Sequence, residues 1–173
     1  MHEIDLGFPE FQPDSPSPLG EIDGVMVEKV TEHVDHRGRV FEFFSGQTGV
    51  FEEPLVFGHC YTILPRTMKG WGAHLHKDDR YCLIAGEVQV VLFDSRKSSS
   101  TYGIVQEIKL SQDGNRKLKI PAGVWHLALN LTDQEVFVID MPTQPYNYSE
   151  PDKIWLSWNT EKIPYTVPEN LNF

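Results

Sequence analysis

The sequence predicts an all-β fold of the jelly-roll type, and three observations favour it. From residue 24 onward, short apolar runs alternate with polar residues at period two, as in strands that bury one face. The segments between these runs are rich in Gly, Pro, Asp and Ser, which is typical of turns. No stretch keeps a helical periodicity over three turns, so no long helix is expected. Roughly nine closely spaced strands suit a sandwich or a barrel, and a jelly roll fits that number.

The expected strands follow one another along most of the chain. They are 24–30, 40–44, 56–63, 80–85, 87–93, 104–110, 117–121, 125–131 and 135–141, with 153–158 as a further candidate. Alternate residues of a strand point to the same face, so each of these runs would bury one row of apolar side chains. One jelly-roll domain is therefore expected over residues 24–173.

Residues 1–23 are expected to form a proline-rich arm. The segment 9–20 holds four prolines together with Ser and Asp. Proline lacks the N–H that helices and central strands need, so this segment predicts extended or irregular chain. Such an arm is either idle or lies across a partner subunit.

Composition and charge limit the function classes. The 173 residues suit one domain, and the formal net charge of −10 disfavours binding to nucleic acids and to anionic membranes. No apolar run approaches the length of a membrane span, and the first residues lack the pattern of a secretory signal. Cys60 and Cys82 form no metal-type pair and are expected to be thiols in a reducing compartment. We expect a soluble, cytoplasmic protein.

Three histidines occur in an unusual pattern. His74 and His76 lie two residues apart in GWGAHLHKDD, so in a strand both rings would project from one face. His126 lies in PAGVWHLALN, directly after a Pro–Gly corner. A single histidine of this kind is commonly a structural residue on a polar strand face. Three of them beside glycines favour a convergent site instead.

The second of these segments resembles a motif of the cupin superfamily. Residues 121–130 match P-x-G-x-x-H-x-x-x-N at every fixed position, and the H-x-H pair and Gly86 fit the first cupin motif. Asp79 follows that pair earlier than the acidic ligand of the superfamily does. One reading of this resemblance is a divalent transition metal held by neutral imidazoles and a carboxylate. Its ligands would be His74, His76, Asp79 and His126.

Within that superfamily, the chain resembles the dTDP-4-dehydrorhamnose 3,5-epimerase family over roughly residues 24–160. Five segments are similar to family motifs in the same order. They are DHRGRVFE (35–42), WGAHLH (71–76), GEVQVVLFDSRKSSSTYG (86–103), IPAGVWH (120–126) and YSEPDKIWLSWN (148–159). The resemblance implies a jelly roll that acts on nucleotide sugars without metal or other cofactor, and that pairs as a homodimer.

The resemblance also implies roles for individual residues. The family removes a proton next to a ketone and returns one from the opposite face of the sugar, which needs a base and an acid. His74 matches the base, and His126 matches the histidine that supports the enolate. The matched substrate contacts are Arg37 at the diphosphate, Glu42 near the nucleoside, Arg80 or Lys77 as added positive charge, and Trp71 and His76 in place of the family's Arg and Gln.

The chain departs from the family pattern at two catalytic positions. The tyrosine that reprotonates the sugar aligns with Ile139, which cannot donate a proton. The carboxylate that orients the base lies beyond the W-N motif, where only Glu161 and Glu169 are conceivable substitutes. His59 and Tyr61 replace the thymine-facing residues. The candidates for the lost proton donor are Tyr146, Tyr148, His76 and Tyr81.

The sequence therefore predicts a nucleotide-sugar 3- and/or 5-epimerase or a ketoisomerase, acting by general acid–base proton transfer in cell-surface carbohydrate or deoxysugar synthesis. Two alternatives stay open. One is a metal-dependent cupin enzyme that uses the three histidines, and the other is a sugar-nucleotide binder without catalytic activity.

Overall fold

The computed structural model describes residues 4–11 and 16–172, and its regular structure is almost wholly β. These ranges contain twelve strands and one short 3-10 turn at Gly49–Phe51, and no α-helix. The strands are β1 Met26–Lys29, β2 Glu32–Asp35, β3 Gly38–Phe41, β4 His59–Ile63, β5 Met68–His74, β6 Asp79–Ala85, β7 Glu87–Asp94, β8 Val105–Ser111, β9 Asn115–Ile120, β10 Val124–Leu129, β11 Val136–Asp140 and β12 Lys153–Trp155.

Ten strands form one curled, almost entirely antiparallel sheet. Its order is β12-β5-β10-β7-β8-β9-β6-β11-β4, with β1 paired to β9. Ile63 of β4 belongs to the same buried cluster as Val88 of β7 and Ala128 of β10, although these strands lie far apart in the sheet order. The sheet therefore folds back on itself around an apolar interior. This confirms the predicted all-β, jelly-roll-type fold.

Period-two alternation decides which side chains enter the interior. On β10, Val124 and Ala128 belong to the interior cluster, whereas Trp125 and Leu127 belong to a second cluster on the outer face. His126 lies on the interior side because it alternates with these residues. The P-x-G-x-x-H segment therefore places its histidine inside the curled sheet.

The N-terminal segment packs on the barrel of its own chain. Phe8 stacks on Phe93 with ring centroids 6.1 Å apart and also contacts Trp125, and Phe11 meets Phe93 edge-on. Leu6 forms a bridge with Arg96. The arm over residues 1–23, expected to be idle or to cross a partner, is thus anchored at its described residues, because two aromatic side chains cover the outer apolar face. Residues 1–3 and 12–15 of this arm lie outside the described residues.

β2 and β3 form a separate two-stranded hairpin, which contacts the main sheet where Arg116 of β9 pairs with Glu32 and lies over Phe41. The sequence predicted one strand at 40–44, whereas the structure has a hairpin over 32–41 that turns at DHRG. Val34 and Val40 are 65% and 70% exposed there, so the hairpin presents apolar side chains to solvent. In residues 4–11 and 16–172, no helix has the length and apolarity that a membrane span requires.

Candidate active site

A cavity of about 570 Å³ opens into the interior of the curled sheet. Its wall combines imidazoles, carboxylates, phenols and ammonium groups. The lining residues are Phe57, His59, Tyr61, Lys69, Gly70, His74, Lys77, Asp79, Tyr81, His126, Ala128, Asp140, Tyr146, Tyr148 and Lys153. Since the chain as a whole has a net charge of −10, the three lysines make this cavity locally richer in positive charge than the surface.

His74 ends β5 and turns a free ring nitrogen toward the cavity. Its Nδ1 lies 2.7 Å from the main-chain oxygen of Asp152. A carbonyl oxygen only accepts, so Nδ1 carries the proton of this hydrogen bond and Nε2 of the neutral ring keeps its lone pair. Burial lowers the pKa of His74, an effect opposed by the negative charge of Asp79. The ring is therefore a neutral base at pH 7.

Asp152 also explains why the chain turns after His74. Its carboxylate accepts the backbone N–H groups of Leu75 at 2.8 Å and of His76 at 3.0 Å. β5 consequently ends at His74, and the His76 side chain is exposed and does not line the cavity. The prediction that His74 and His76 share one strand face is wrong, because the strand stops between them.

The residue that holds the His74 ring by a hydrogen bond lies before the W-N motif. Asp152 makes that contact through its main-chain oxygen, and its Oδ2 lies 3.9 Å from Nδ1 of His74. Glu161 and Glu169, the substitutes considered from the sequence, are exposed and do not line the cavity. The signal in the sequence was an acidic residue directly before the KIW strand, inside a segment already matched to the family.

His126 and Asp79 complete a compact centre with His74. Nε2 of His74 and Nε2 of His126 each lie 3.6 Å from Oδ2 of Asp79, and the two rings stack with centroids 6.0 Å apart. Gly72 pairs with His126 across the strands, and a Cβ at this glycine would lie 3.4 Å from Nε2 of His126 and 2.8 Å from Cε of Lys153. A glycine at 72 thus leaves space for the centre.

This centre contains groups that fit a divalent metal. One ligand atom from each of His74, Asp79 and His126 lies within 4.8 Å of the others. Neutral imidazoles and carboxylates are common ligands of divalent transition metals. Of the four ligands in the sequence-based metal alternative, the structure brings these three together and leaves His76 outside.

The other wall of the cavity comes from the far end of the sheet order. Tyr61 of β4 meets Tyr81 of β6 edge-on with centroids 5.6 Å apart. Oδ2 of Asp140, at the end of β11, lies 3.7 Å from Nε2 of His59. Burial, together with the negative charge of Asp79, raises the pKa of Asp140 well above its ordinary value. This environment favours the protonated form of Asp140.

Strand alternation also corrects the position of the missing tyrosine. Ile139 packs outside the interior, in a cluster with Phe51 and Cys82. Its neighbours Val138 and Asp140 point inward, Val138 into the core and Asp140 into the cavity. The inward position therefore holds no tyrosine, and Asp140 is the ionisable side chain that β11 presents to the cavity.

Two of the predicted substrate contacts are buried elsewhere. Trp71 is 1% exposed and packs in the outer-face cluster, edge-on to Tyr165. Arg80 is completely buried, and its guanidinium donates to main-chain oxygens. The acceptors are those of Glu53, Pro54, Met141 and Pro142. Neither residue lines the cavity, because β5 and β6 turn these side chains to the other face.

Arg37 and Glu42 belong to the region of the exposed hairpin. Arg37 lies in its turn and pairs with Asp35 at 2.6 Å, with 78% of its side chain exposed. Glu42 follows β3 and is exposed as well. Within one chain, the structure does not bring either residue to the cavity. Lys69, Lys77 and Lys153 are the cations that line it instead, and the sequence had singled out only Lys77.

Substitution of Trp71 tests whether its side chain belongs to the core. We expect Trp71→Ala to lower the free energy of unfolding by about 3–5 kcal/mol, since a large buried aromatic side chain is lost. Urea unfolding measures this change, and Trp71→Phe should restore most of it. A Trp71→Ala protein of unchanged stability but weaker ligand binding would contradict the core placement.

Burial of His126 predicts a pH-dependent stability. Burial lowers the pKa of His126 from 6.5 to about 4, so the folded chain holds this ring neutral while the unfolded chain protonates it below pH 6.5. The unfolded state then binds more protons, and stability falls as the pH drops from 6.5 to about 4, by a total of about 3 kcal/mol from this group. Urea unfolding against pH, in buffer with chelator, should show a shallower slope for His126→Gln. Equal slopes for both proteins would contradict this assignment.

The curled, cupin-like sheet and its buried imidazole–carboxylate centre are typical of β-barrel proteins that transfer protons. The sequence profile of dTDP-4-dehydrorhamnose 3,5-epimerase matches residues 20–170. The chain belongs to the dTDP-4-dehydrorhamnose 3,5-epimerase family, as the resemblance predicted.

Curated relatives agree with this assignment, and a solved structure shares the fold. The chain is 32% identical over 146 residues to the spore coat polysaccharide biosynthesis protein SpsL of Bacillus subtilis, covering 83% of this chain and 95% of SpsL. It is 25% identical over 148 residues to the probable low-salt glycan biosynthesis epimerase Agl13 of Haloferax volcanii, covering 85% and 90%. The crystal structure of a dTDP sugar isomerase from Desulfovibrio desulfuricans superposes with a TM-score of 0.77 at 22% identity, covering 84% of this chain and 91% of that one.

Proposed function

We propose that this protein is a nucleotide-sugar 3- and/or 5-epimerase or ketoisomerase that works by general acid–base proton transfer. The observation that carries the proposal is the His74 ring, whose Nδ1 donates to Asp152 while its Nε2 lone pair faces the cavity. A base for a C–H group next to a ketone needs this neutral, correctly oriented imidazole. Proton transfer of this kind requires no cofactor.

His74 takes the proton, and His126 stands beside the enolate that forms. Negative charge on Asp79 raises the proton affinity of both rings, which lowers the cost of an imidazolium after proton abstraction. His126 is neutral because burial lowers its pKa to about 4. A neutral ring supports the enolate by hydrogen bonding and does not transfer a full proton to it.

Asp140 is the proposed proton donor. It lies on β11, near the opposite end of the sheet order from β5, which carries His74, and we expect it to approach the sugar from a different side. Burial raises the pKa of Asp140 well above its ordinary value and so favours its protonated form, whereas burial raises the pKa values of Tyr61 and Tyr81 well above 10 and makes them poorer donors. The His59 side chain is 47% exposed and lies 3.7 Å from Asp140, which provides a route for a replacement proton from solvent.

The lysines suit the anionic end of a nucleotide sugar. Lys69, Lys77 and Lys153 line the cavity and are the proposed partners of the diphosphate. ChmJ, a 3'-monoepimerase from Streptomyces bikiniensis, was crystallised with dTDP-quinovose, and it superposes on this chain with a TM-score of 0.73 at 18% identity, covering 89% of this chain and 80% of ChmJ. By analogy, we propose a dTDP-4-keto-6-deoxyhexose or a close relative as substrate, within cell-surface carbohydrate synthesis.

A homodimer is part of the proposal. The hairpin exposes Val34 and Val40, which a second copy would cover, and it carries Arg37 and ends before Glu42. Dimerisation is the arrangement in which these two residues would approach a substrate held by another copy. Light scattering should report twice the chain mass, and a monomer would remove this part of the proposal. The free thiols Cys60 and Cys82 suit the cytoplasm, where we propose that the enzyme acts.

Proton NMR tests the function directly. The enzyme is incubated with dTDP-4-keto-6-deoxyglucose in D₂O and EDTA. Deuterium should appear at C3, at C5 or at both, and the number of inverted centres distinguishes a single from a double epimerase. A product with the ketone moved to C3 would identify a ketoisomerase. An enzyme that binds the nucleotide sugar without any exchange would contradict the proposal and indicate a binder.

A further inference from the structure

In the centre formed by His74, Asp79 and His126, three atoms that can bind a metal lie within 4.8 Å of one another, and Nδ1 of His126 has no hydrogen-bond partner among the described residues. Nε2 of His74 carries a lone pair because Nδ1 donates to Asp152, and it lies 3.6 Å from Oδ2 of Asp79, which also offers only lone pairs. Two such atoms repel each other unless a cation lies between them. Nε2 of His126 approaches the same carboxylate oxygen at 3.6 Å.

Asp79 supplies a second, independent observation. Its side chain is 3% exposed, and its Oδ1 has no hydrogen-bond partner among the described residues. A buried carboxylate is costly unless a cation or a hydrogen-bond donor compensates it. Lys77 and Lys153 line the same cavity, but neither pairs with Asp79 within the 4 Å of an ion pair. The carboxylate therefore lacks the compensation that its burial requires.

The spacing of the three atoms matches a metal site. Bonds of about 2.0–2.2 Å at tetrahedral angles place neighbouring ligand atoms about 3.3–3.6 Å apart. The two distances to Asp79 are 3.6 Å, and all three atoms lie within 4.8 Å of one another. Two imidazoles and one carboxylate are an established ligand set for divalent transition metals, with further positions left open. Here those positions would face the cavity.

We propose that His74, Asp79 and His126 bind one divalent transition metal ion, and that this ion inhibits the enzyme. The inhibition rests on the proposed function, because an ion held by Nε2 of His74 occupies the lone pair that accepts the substrate proton. Metal and substrate C–H then compete for one nitrogen. The protein would be active when free of metal and reversibly inactive when loaded.

Cobalt binding tests the site. The full chain, stripped with chelator and dialysed, is titrated with Co²⁺ while visible absorption and bound metal are measured. We expect one Co²⁺ per chain with the strong d–d bands of low coordination, and displacement by Zn²⁺. Asp79→Asn, which preserves the shape of the side chain, and His126→Gln should each weaken binding at least about 100-fold. Wild-type protein that binds no Co²⁺, or that binds it without these bands, would overturn the proposal.

Two matched variants identify the ligands. His76→Gln removes the histidine of the alternative ligand set and should leave Co²⁺ binding unchanged, because this side chain lies outside the cavity. Asp133→Asn removes an exposed carboxylate that pairs with Arg66, and it should also have no effect. Loss of binding in His76→Gln with retention in Asp79→Asn would replace the proposed site by another one.

Deuterium exchange separates this proposal from the proposed function. Exchange into the sugar should fall in proportion to Zn²⁺ occupancy and return when EDTA is added. Zn²⁺ that binds and leaves exchange unchanged, or accelerates it, would overturn the inhibitory role. Metal-free enzyme that shows no exchange, with Co²⁺ binding as described, would contradict the proposed function and support the metal site.

Discussion

Replacement of His74 by alanine should lower the rate of deuterium exchange into the sugar by about 100- to 10,000-fold, the usual loss when a general base is removed. The 2.7 Å hydrogen bond to Asp152 holds the His74 ring with the lone pair of its Nε2 toward the cavity. Single-turnover NMR in D₂O with EDTA measures the rate. KM should change little, because the lysines that are the proposed anchors of the substrate are untouched.

The effect of His74→Ala on exchange needs a control substitution outside the cavity. Lys109→Ala alters an exposed side chain on β8 that pairs with Glu87, and its exchange rate should equal that of the wild type. Circular dichroism and urea unfolding show whether the His74→Ala chain is folded. A folded His74→Ala enzyme that exchanges at the wild-type rate would refute the assignment of the base.

Replacement of Asp140 by asparagine should separate exchange from inversion. If Asp140 returns the proton on the far face, its loss leaves proton abstraction by His74 intact, and the enolate is reprotonated from the face on which it was formed. Deuterium then enters the sugar with retained configuration. We expect the rate of inversion to fall by about 100-fold or more while exchange continues, because the general acid contributes an effect of that size.

NMR of the product distinguishes the stereochemistry, and two variants provide the comparison. Tyr61→Phe removes a competing donor on the same wall and should still invert the sugar. Asp133→Asn, at an exposed turn, should be indistinguishable from the wild type. If Tyr61→Phe exchanges with retained configuration while Asp140→Asn inverts the sugar normally, the proton donor is Tyr61 and the assignment of Asp140 is wrong.

Local patterns in the sequence were sufficient for the fold and for part of the site. Period-two alternation predicted most strands of the main sheet, and the Pro–Gly corner fixed where β10 begins, which places His126 inside. β5 was missed as a strand because MKGWGAH contains two glycines and no regular alternation. Its strand conformation comes from pairing with β10 and β12 on either side, which is not a local property.

The rest of the site depends on contacts between distant parts of the chain. Asp152 reaches His74 across 78 positions of sequence, and Asp140 faces the cavity only because β11 is inserted between β4 and β6. Trp71 belongs to a motif segment and Arg80 lies just after it, yet strand alternation turns both away from the cavity. A motif identifies the segment that carries a site, and the register of the sheet decides which of its side chains take part.

The hydrogen bond between Asp152 and His74 makes the proposed base dependent on a part of the fold with low local stability. β12 has only three residues and lies at the edge of the sheet, where it pairs with β5 alone. Short edge elements open at a lower free energy than the sheet as a whole. When β12 detaches, the partner of Nδ1 leaves with it, and the imidazole is free to rotate and to change tautomer while the barrel stays folded. On heating, catalysis should therefore fade before the cooperative unfolding of the barrel begins.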